Sequence, residues 1–195
     1  DVDPRTEPWS DVIAVFARSI AETNPNAVLV LVTDRRTELP ELVCRHTIVR
    51  LDLDSTRLMY ERQRAFTAFL YSRLCVGSTV FLDTDVICLR DLAPIFDTVF
   101  DVGVTYRAAS TELYALMPVN EGVIFAANRR PEVTRAFFSD VLAHYHALAE
   151  DVVIKDWHPG GILCWRGGQL ALNSVAVGWK MIRDDQELRI ARREI

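Results

Sequence analysis

Residues Thr79 to Asp85 read Thr-Val-Phe-Leu-Asp-Thr-Asp, a short β-branched and aromatic run that passes directly into two carboxylates one residue apart. Such a run, ended by turn formers, predicts a strand over Thr79–Leu82. Both acids then sit at the strand's C-terminal end. In open α/β sheets that edge binds ligands, because the loops leaving it form a crevice while the sheet interior is filled. Upstream, Ala27–Val32 is an unbroken apolar run closed by Thr33-Asp34, and it predicts a strand covered on both faces. Before it, Val12, Val15, Phe16 and Ile20 fall on one face of a helix over residues 11–23, with Ser10 as N-cap and Asn24-Pro25 closing the run. Helix followed by buried strand implies α/β layering.

The same alternation continues outward. Thr47–Leu51 is a weaker strand candidate, and Arg57–Leu74 reads as a helix with Leu58, Phe66, Phe69, Leu70 and Leu74 available to one broad face. Strands are expected at Asp101–Tyr106 and Gly122–Ala127, followed by a helix that opens at Pro131, a residue suited to N1, and runs to about Ala149. Residues 150–168, with Trp157, Pro159 and four glycines, read as a long loop, then a short helix Gln169–Val177 and a strand near Trp179–Arg183. The expected fold is α/β with a mostly parallel sheet and helices on both faces. At 195 residues it is expected to be a single domain, residues 1–195.

Half the residues are hydrophobic and a quarter charged, and no stretch reaches the roughly 18 consecutive apolar residues of a membrane span. Fibrous, disordered and integral-membrane classes are thereby excluded. Lys and Arg number 22 against 27 Asp and Glu, a net charge of −5, so no general attraction draws the chain to nucleic acid. Cys44, Cys75, Cys88 and Cys164 form no C-x-x-C pair and have no His at zinc-ligand spacing, so they read as small core residues in a reducing, cytoplasmic setting. His144 and His146, two apart on a helix, point about 200° from one another and make a poor metal pair.

Asp83 and Asp85 can both reach one divalent ion, directly or through water, and such an ion can bridge two phosphate oxygens. The bland alternative is that the two acids cap the following turn. Three segments together resemble GT-A nucleotide-sugar glycosyltransferases, particularly those similar to family 8. The first is Arg64–Asp97, with a helical Arg, the apolar strand, D-x-D and then Asp91-Leu92-Ala93-Pro94-Ile95-Phe96. The second, Met117–Phe125, resembles the family's N-x-G-V strand, and the third, Gly168–Asn173, its D-Q-x-x-L-N helix.

That resemblance implies a GT-A-like fold, Mn²⁺ or Mg²⁺ as cofactor, and a nucleotide-sugar donor such as a UDP-sugar, with a carbohydrate, protein or lipid acceptor. Asp85 would be the principal metal ligand, and Asp83 would touch the metal or the donor's hydroxyls. Arg64 would contact the donor sugar or diphosphate, although Arg57, Glu61 and Arg64 also have the spacing of a salt-bridged face. Asn120, Glu121 and Gly122 would line the sugar pocket, on a strand that runs antiparallel in similar enzymes; an ordinary turn before a strand is the alternative. Gln169 would face the anomeric carbon, its amide acting by position and electrostatics.

The chain departs from the family pattern in three places. Gly168 stands where the Asp of D-Q is expected, no His follows as third metal ligand and His158 cannot be aligned to one, and the family's first strand has no counterpart before Asp1. The last departure implies a segment of a longer protein or a domain with both edges trimmed. A phosphatase of the haloacid dehalogenase type is the rival, with Asp83 as nucleophile, Asp85 as acid/base, and Lys155, Lys180 or Asp184-Asp185 as later motifs. A catalytically inactive sugar- or nucleotide-binding domain is the third reading.

Overall fold

A computed structural model describes residues 9–106, 118–150, 162–178, 180–184 and 187–191. Their elements, in chain order, are α1 (Trp9–Thr23), β1 (Leu29–Asp34), β2 (His46–Leu51), α2 (Leu58–Tyr71), β3 (Thr79–Leu82), β4 (Val102–Tyr106), β5 (Val119–Ala126), α3 (Pro131–Glu150), α4 (Ile162–Gly178), β6 (Lys180–Asp184) and β7 (Glu187–Ala191). The chain is mixed α/β. It divides into two compact units, the first running to Leu53 and taking in Leu82–Thr98, the second comprising Asp54–Phe81 and the chain from Val99 onward.

In the first unit β1 and β2 form a two-stranded parallel sheet, with Leu29 opposite His46 and Asp34 opposite Leu51. Phe16, Ala17 and Ile20 of α1 are buried. Phe16 and Ile20 join Cys88, with Leu29, Leu82, Val86 and Leu92 packed around them, while Ala17 joins Leu31 and Leu42. Ser10 lies inside α1 rather than capping it, because the described helix already includes Trp9, two residues before the start that the apolar periodicity suggests. At the C-terminal end of β1, Asp34 accepts from the Arg36 and Thr37 N–H groups at 2.6 and 2.9 Å and from the Thr37 hydroxyl. Those bonds hold its carboxyl below the ordinary carboxylate range, the Thr37 hydroxyl contributing most.

The second unit carries a five-stranded sheet in the order β3-β5-β4-β7-β6. β5 with β4, β4 with β7, and β7 with β6 all run antiparallel. The mostly parallel sheet expected from sequence is therefore corrected, whereas the expected antiparallel course of the Asn120 strand is observed. The physical reason is connection length: Asp184 and Glu187 face each other across a short link, and a parallel return would need a crossover of a dozen or more residues. The core joins Leu70, Phe81, Val102, Val104 and Ile124 to Phe137, Phe138, Val141 and Tyr145 of α3 and Leu172 of α4. Phe81 anchors it, with its ring centroid 4.4 Å from Phe66 and 5.1 Å from Phe138.

A second correction concerns the stretch expected to be a loop at 150–168, of which 151–161 lie outside the described residues. Its last part is helical, since α4 opens at Ile162 and contains Gly167-Gly168. Glycine costs a helix about 1 kcal/mol relative to Ala, so these two read as breakers by propensity alone. Packing overrides that. A Cβ on Gly167 would overlap the buried Tyr145 ring, and one on Gly168 would overlap a carboxylate oxygen of Glu121.

Cys44, Cys75 and Cys88 are free thiols; Cys88 is buried and the other two half-buried, and burial pushes the Cys44 thiol up. The side chain of Cys164, like Lys155, Trp157, His158 and Asp185, lies outside the described residues. Among the described residues no helix is long and apolar enough to cross a membrane.

Candidate functional site

The D-x-D pair belongs to the first unit. β3 ends at Leu82, Asp83 follows half-buried, and the chain turns at Thr84-Asp85, leaving Asp85 exposed. Beyond it Asp91 accepts from the Ala93 N–H at 2.9 Å, just before the short 3-10 helix Ala93–Asp97. Oxygen donors of this kind suit a hard divalent ion, and Mg²⁺-like ions are commonly held by one or two carboxylates with water and substrate phosphates completing the shell. No group of three or more His, Cys, Asp or Glu side chains able to hold a metal occurs among the described residues. The oxygen chemistry of the Asp83–Asp85 pair is compatible with such an ion.

The other residues singled out from sequence lie in the second unit, on α2, β5 and α4. The ladder between β4 and β5 jumps from Val104–Ile124 to Thr105–Asn120, so Glu121–Val123 bulges. A bulge re-aims the side chains it carries. The Asn120 side-chain oxygen accepts from the Gly122 N–H at 3.0 Å, and the Thr105 hydroxyl donates to the Asn120 and Val123 carbonyls, both at 3.4 Å. Asn120 thus lies within the strand and shapes its bulge; it is not a turn preceding it.

Glu121 is only 4% exposed. A buried carboxylate needs partners, and α2 supplies them. Gln63, 1% exposed, donates its amide to Glu121 Oε2 at 3.0 Å. Arg62 places Nη1 3.4 Å from Glu121 Oε1 and donates Nη2 to the Glu121 carbonyl at 2.7 Å. On the remaining side is Gly168 of α4, where a Cβ would overlap Glu121 Oε2 and stand 3.2 Å from Gln63 Nε2. The carboxylate of Glu121 occupies the volume that a side chain at position 168 would claim.

Gln169 is buried, and its carbonyl accepts from the Asn173 amide at 2.7 Å. Asn173 also donates to the Val119 carbonyl at 3.0 Å and accepts from the Val119 N–H at 2.9 Å, fastening α4 to the start of β5. Arg64 donates through Nε and Nη2 to Glu61, and its side chain is 46% exposed. Of the solvated Arg57–Glu61–Arg64 face given as the alternative, the Glu61–Arg64 pair is present, with Glu61 buried rather than solvated.

Within the second unit, then, Glu121 and Gly168 come together, with Gln169 and Asn173 on the same helix as Gly168. Sequence reasoning missed Arg62 and Gln63. Gln63 shares a helical face with Phe66 and Leu70 at i+3 and i+7, so a polar residue in phase with a buried stripe was the available signal. Arg62 carries no comparable mark. Comparison with protein-family models, with curated proteins and with solved structures finds no match to this chain.

Proposed function

We propose that the chain is a metal-dependent glycosyltransferase that moves a sugar from a nucleoside-diphosphate donor, most simply a UDP-sugar, to a carbohydrate, protein or lipid acceptor. The observation that carries the reading is the Asp83–Asp85 pair placed just past the C-terminal end of β3, with Asp85 open to solvent. Asp83 and Asp85 would hold Mn²⁺ or Mg²⁺, which supplies Lewis-acid neutralisation of phosphate charge when bound. Their two carboxylates also orient the donor by fixing where its diphosphate lies.

The roles implied for Arg64, Asn120, Glu121, Gly122 and Gln169 belong to the same reading. What supports those of Asn120, Glu121, Gly122 and Gln169 is the polar character of their surroundings: a bulged strand, a buried carboxylate braced by Gln63 and Arg62, and an uncharged amide at position 169 that is itself buried. An uncharged Gln169 is a poor nucleophile, so it would act by orienting the donor sugar.

Calorimetry with the 195-residue chain tests the proposal. UDP-sugar binding is expected in the presence of Mn²⁺, to be lost with EDTA and with Asp85→Asn. A well-folded chain with no metal-dependent nucleotide-sugar binding overturns it. Mg²⁺-dependent hydrolysis of a generic phosphate ester, abolished by Asp83→Asn, would replace it with the phosphatase reading.

A further inference from the structure

We infer that Ser19 and Asn24, at the C-terminal end of α1, are positioning residues for the Asp83–Asp85 pair; the inference rests on the metal-binding reading above. Residues 83–91 belong to neither helix nor strand, so no ladder fixes the course of the chain that carries the two acids. Side chains do so instead. The Ser19 hydroxyl accepts from the Cys88 N–H at 3.0 Å while donating to the Phe16 carbonyl at 2.7 Å. The Asn24 amide nitrogen lies 3.2 Å from both Cys88 Sγ and the Arg90 carbonyl, and the Asn24 oxygen accepts from the Leu92 N–H at 2.8 Å.

Apolar contacts support the same segment from both sides of the turn. Leu82 before the acids, and Val86, Cys88 and Leu92 after them, all belong to the cluster formed with Phe16 and Ile20 of α1. The turn bearing Asp83 and Asp85 thus runs from the end of β3 into a segment that Ser19 and Asn24 tie to α1. Ser19 is buried, which a hydroxyl tolerates only when it is hydrogen-bonded, and it is satisfied as donor within α1 by Phe16 and as acceptor by the backbone of this segment. Two carboxylates bind one ion tightly only if their separation is already set, because an ion that must first order its ligands loses that entropy from its affinity. Groups hydrogen-bonded directly to metal ligands commonly contribute about 10–100-fold to metal affinity, and since Ser19 and Asn24 act one step further out, through the backbone, the lower end of that range is their ceiling.

The test uses the full chain and Mn²⁺ alone, with bound ion measured by loss of the free-ion electron paramagnetic resonance signal and hydrogen exchange measured in parallel. Asn24→Ala is expected to weaken Mn²⁺ binding about tenfold and to speed exchange at the Cys88 and Leu92 amides, with the α1 amides unchanged. Asn24→Asp keeps the acceptor for Leu92 and loses the donors, so it should fall between wild type and Asn24→Ala. Ser19→Ala, which removes one bond to the segment, should weaken binding less than Asn24→Ala does.

Binding as tight as wild type in both alanine variants, despite faster exchange over residues 86–92, overturns the inference, since the anchors would then be structural only. Weaker binding accompanied by loss of protection throughout α1 and β1 overturns it equally. Wild-type protein that takes up no Mn²⁺ removes the metal reading itself, and that result appears before any variant is made.

Discussion

Gly167 and Gly168 show how one residue's missing atoms can be fixed by its neighbours. Replacing either by Ala gains about 1 kcal/mol of helix propensity. Against that stands overlap with the Tyr145 ring at 167 and with the Glu121 carboxylate at 168, and overpacking of this kind costs about 1–3 kcal/mol. The ring is fully buried and cannot swing away, so Gly167→Ala should be the more damaging change. The carboxylate is the far end of a flexible chain, yet Gln63 and Arg62 hold it, so Gly168→Ala should also destabilise. Glu121→Ala alone should cost about 3–5 kcal/mol by leaving the largely buried Arg62 without its carboxylate. If the two groups share one volume, the double variant Glu121→Ala with Gly168→Ala will be more stable than the sum of the singles predicts. A urea-denaturation cycle measures this, and strict additivity would show that they do not compete for space.

Among the elements, those with a simple period were legible. β3 and β1 were visible as short apolar runs, and α3 as a long helix with Pro131 at its first position. α2 was legible but ends at Tyr71 rather than Leu74; its buried side is built partly from Glu61, Gln63 and Thr67, which hydrophobicity does not mark, and Leu58 and Leu74, assigned to the apolar face, are exposed. β7 was missed although Leu188 and Ile190 alternate with polar residues; the signal was there, in a strand of only five residues. The turns that start and end elements have their own chemistry. Asp54 accepts from the Thr56 hydroxyl at 2.6 Å and the Thr56 N–H at 2.9 Å at the head of the turn leading into α2, and these bonds lower its carboxyl pKa as Asp34's is lowered. Both folded values lie below the unfolded one, so the stabilisation is complete above about pH 4 and is lost as the pH falls through the folded values. Acid unfolding followed by circular dichroism should therefore steepen below about pH 4, and Asp34→Asn with Asp54→Asn should flatten part of that slope. An unchanged slope would mean that neither cap contributes.

At the scale of the whole molecule, the candidate site was legible where its chemistry is carried by residue type and opaque where it is carried by packing. Two acids after a strand announce themselves in one dimension; Gln63 meeting Glu121 across 58 residues of chain does not. The same distinction decides what binding can do to global stability. A ligand that binds only the folded chain stabilises it by RT ln(1 + [L]/Kd), about 2.7 kcal/mol at a hundredfold excess over Kd. Carboxylates held one residue apart in a folded turn have no such arrangement in the unfolded chain, so Mn²⁺ bound between Asp83 and Asp85 should act in this way. Thermal unfolding with Mn²⁺ and UDP together should accordingly rise in midpoint, by several degrees for a protein of this length. Mn²⁺ alone should give a smaller rise, UDP with EDTA almost none, and Asp85→Asn should abolish the effect while leaving the metal-free midpoint near that of wild type, since Asp85 is exposed. A midpoint shift that survives Asp83→Asn and Asp85→Asn would place the metal elsewhere and detach the transferase reading from the turn on which it depends.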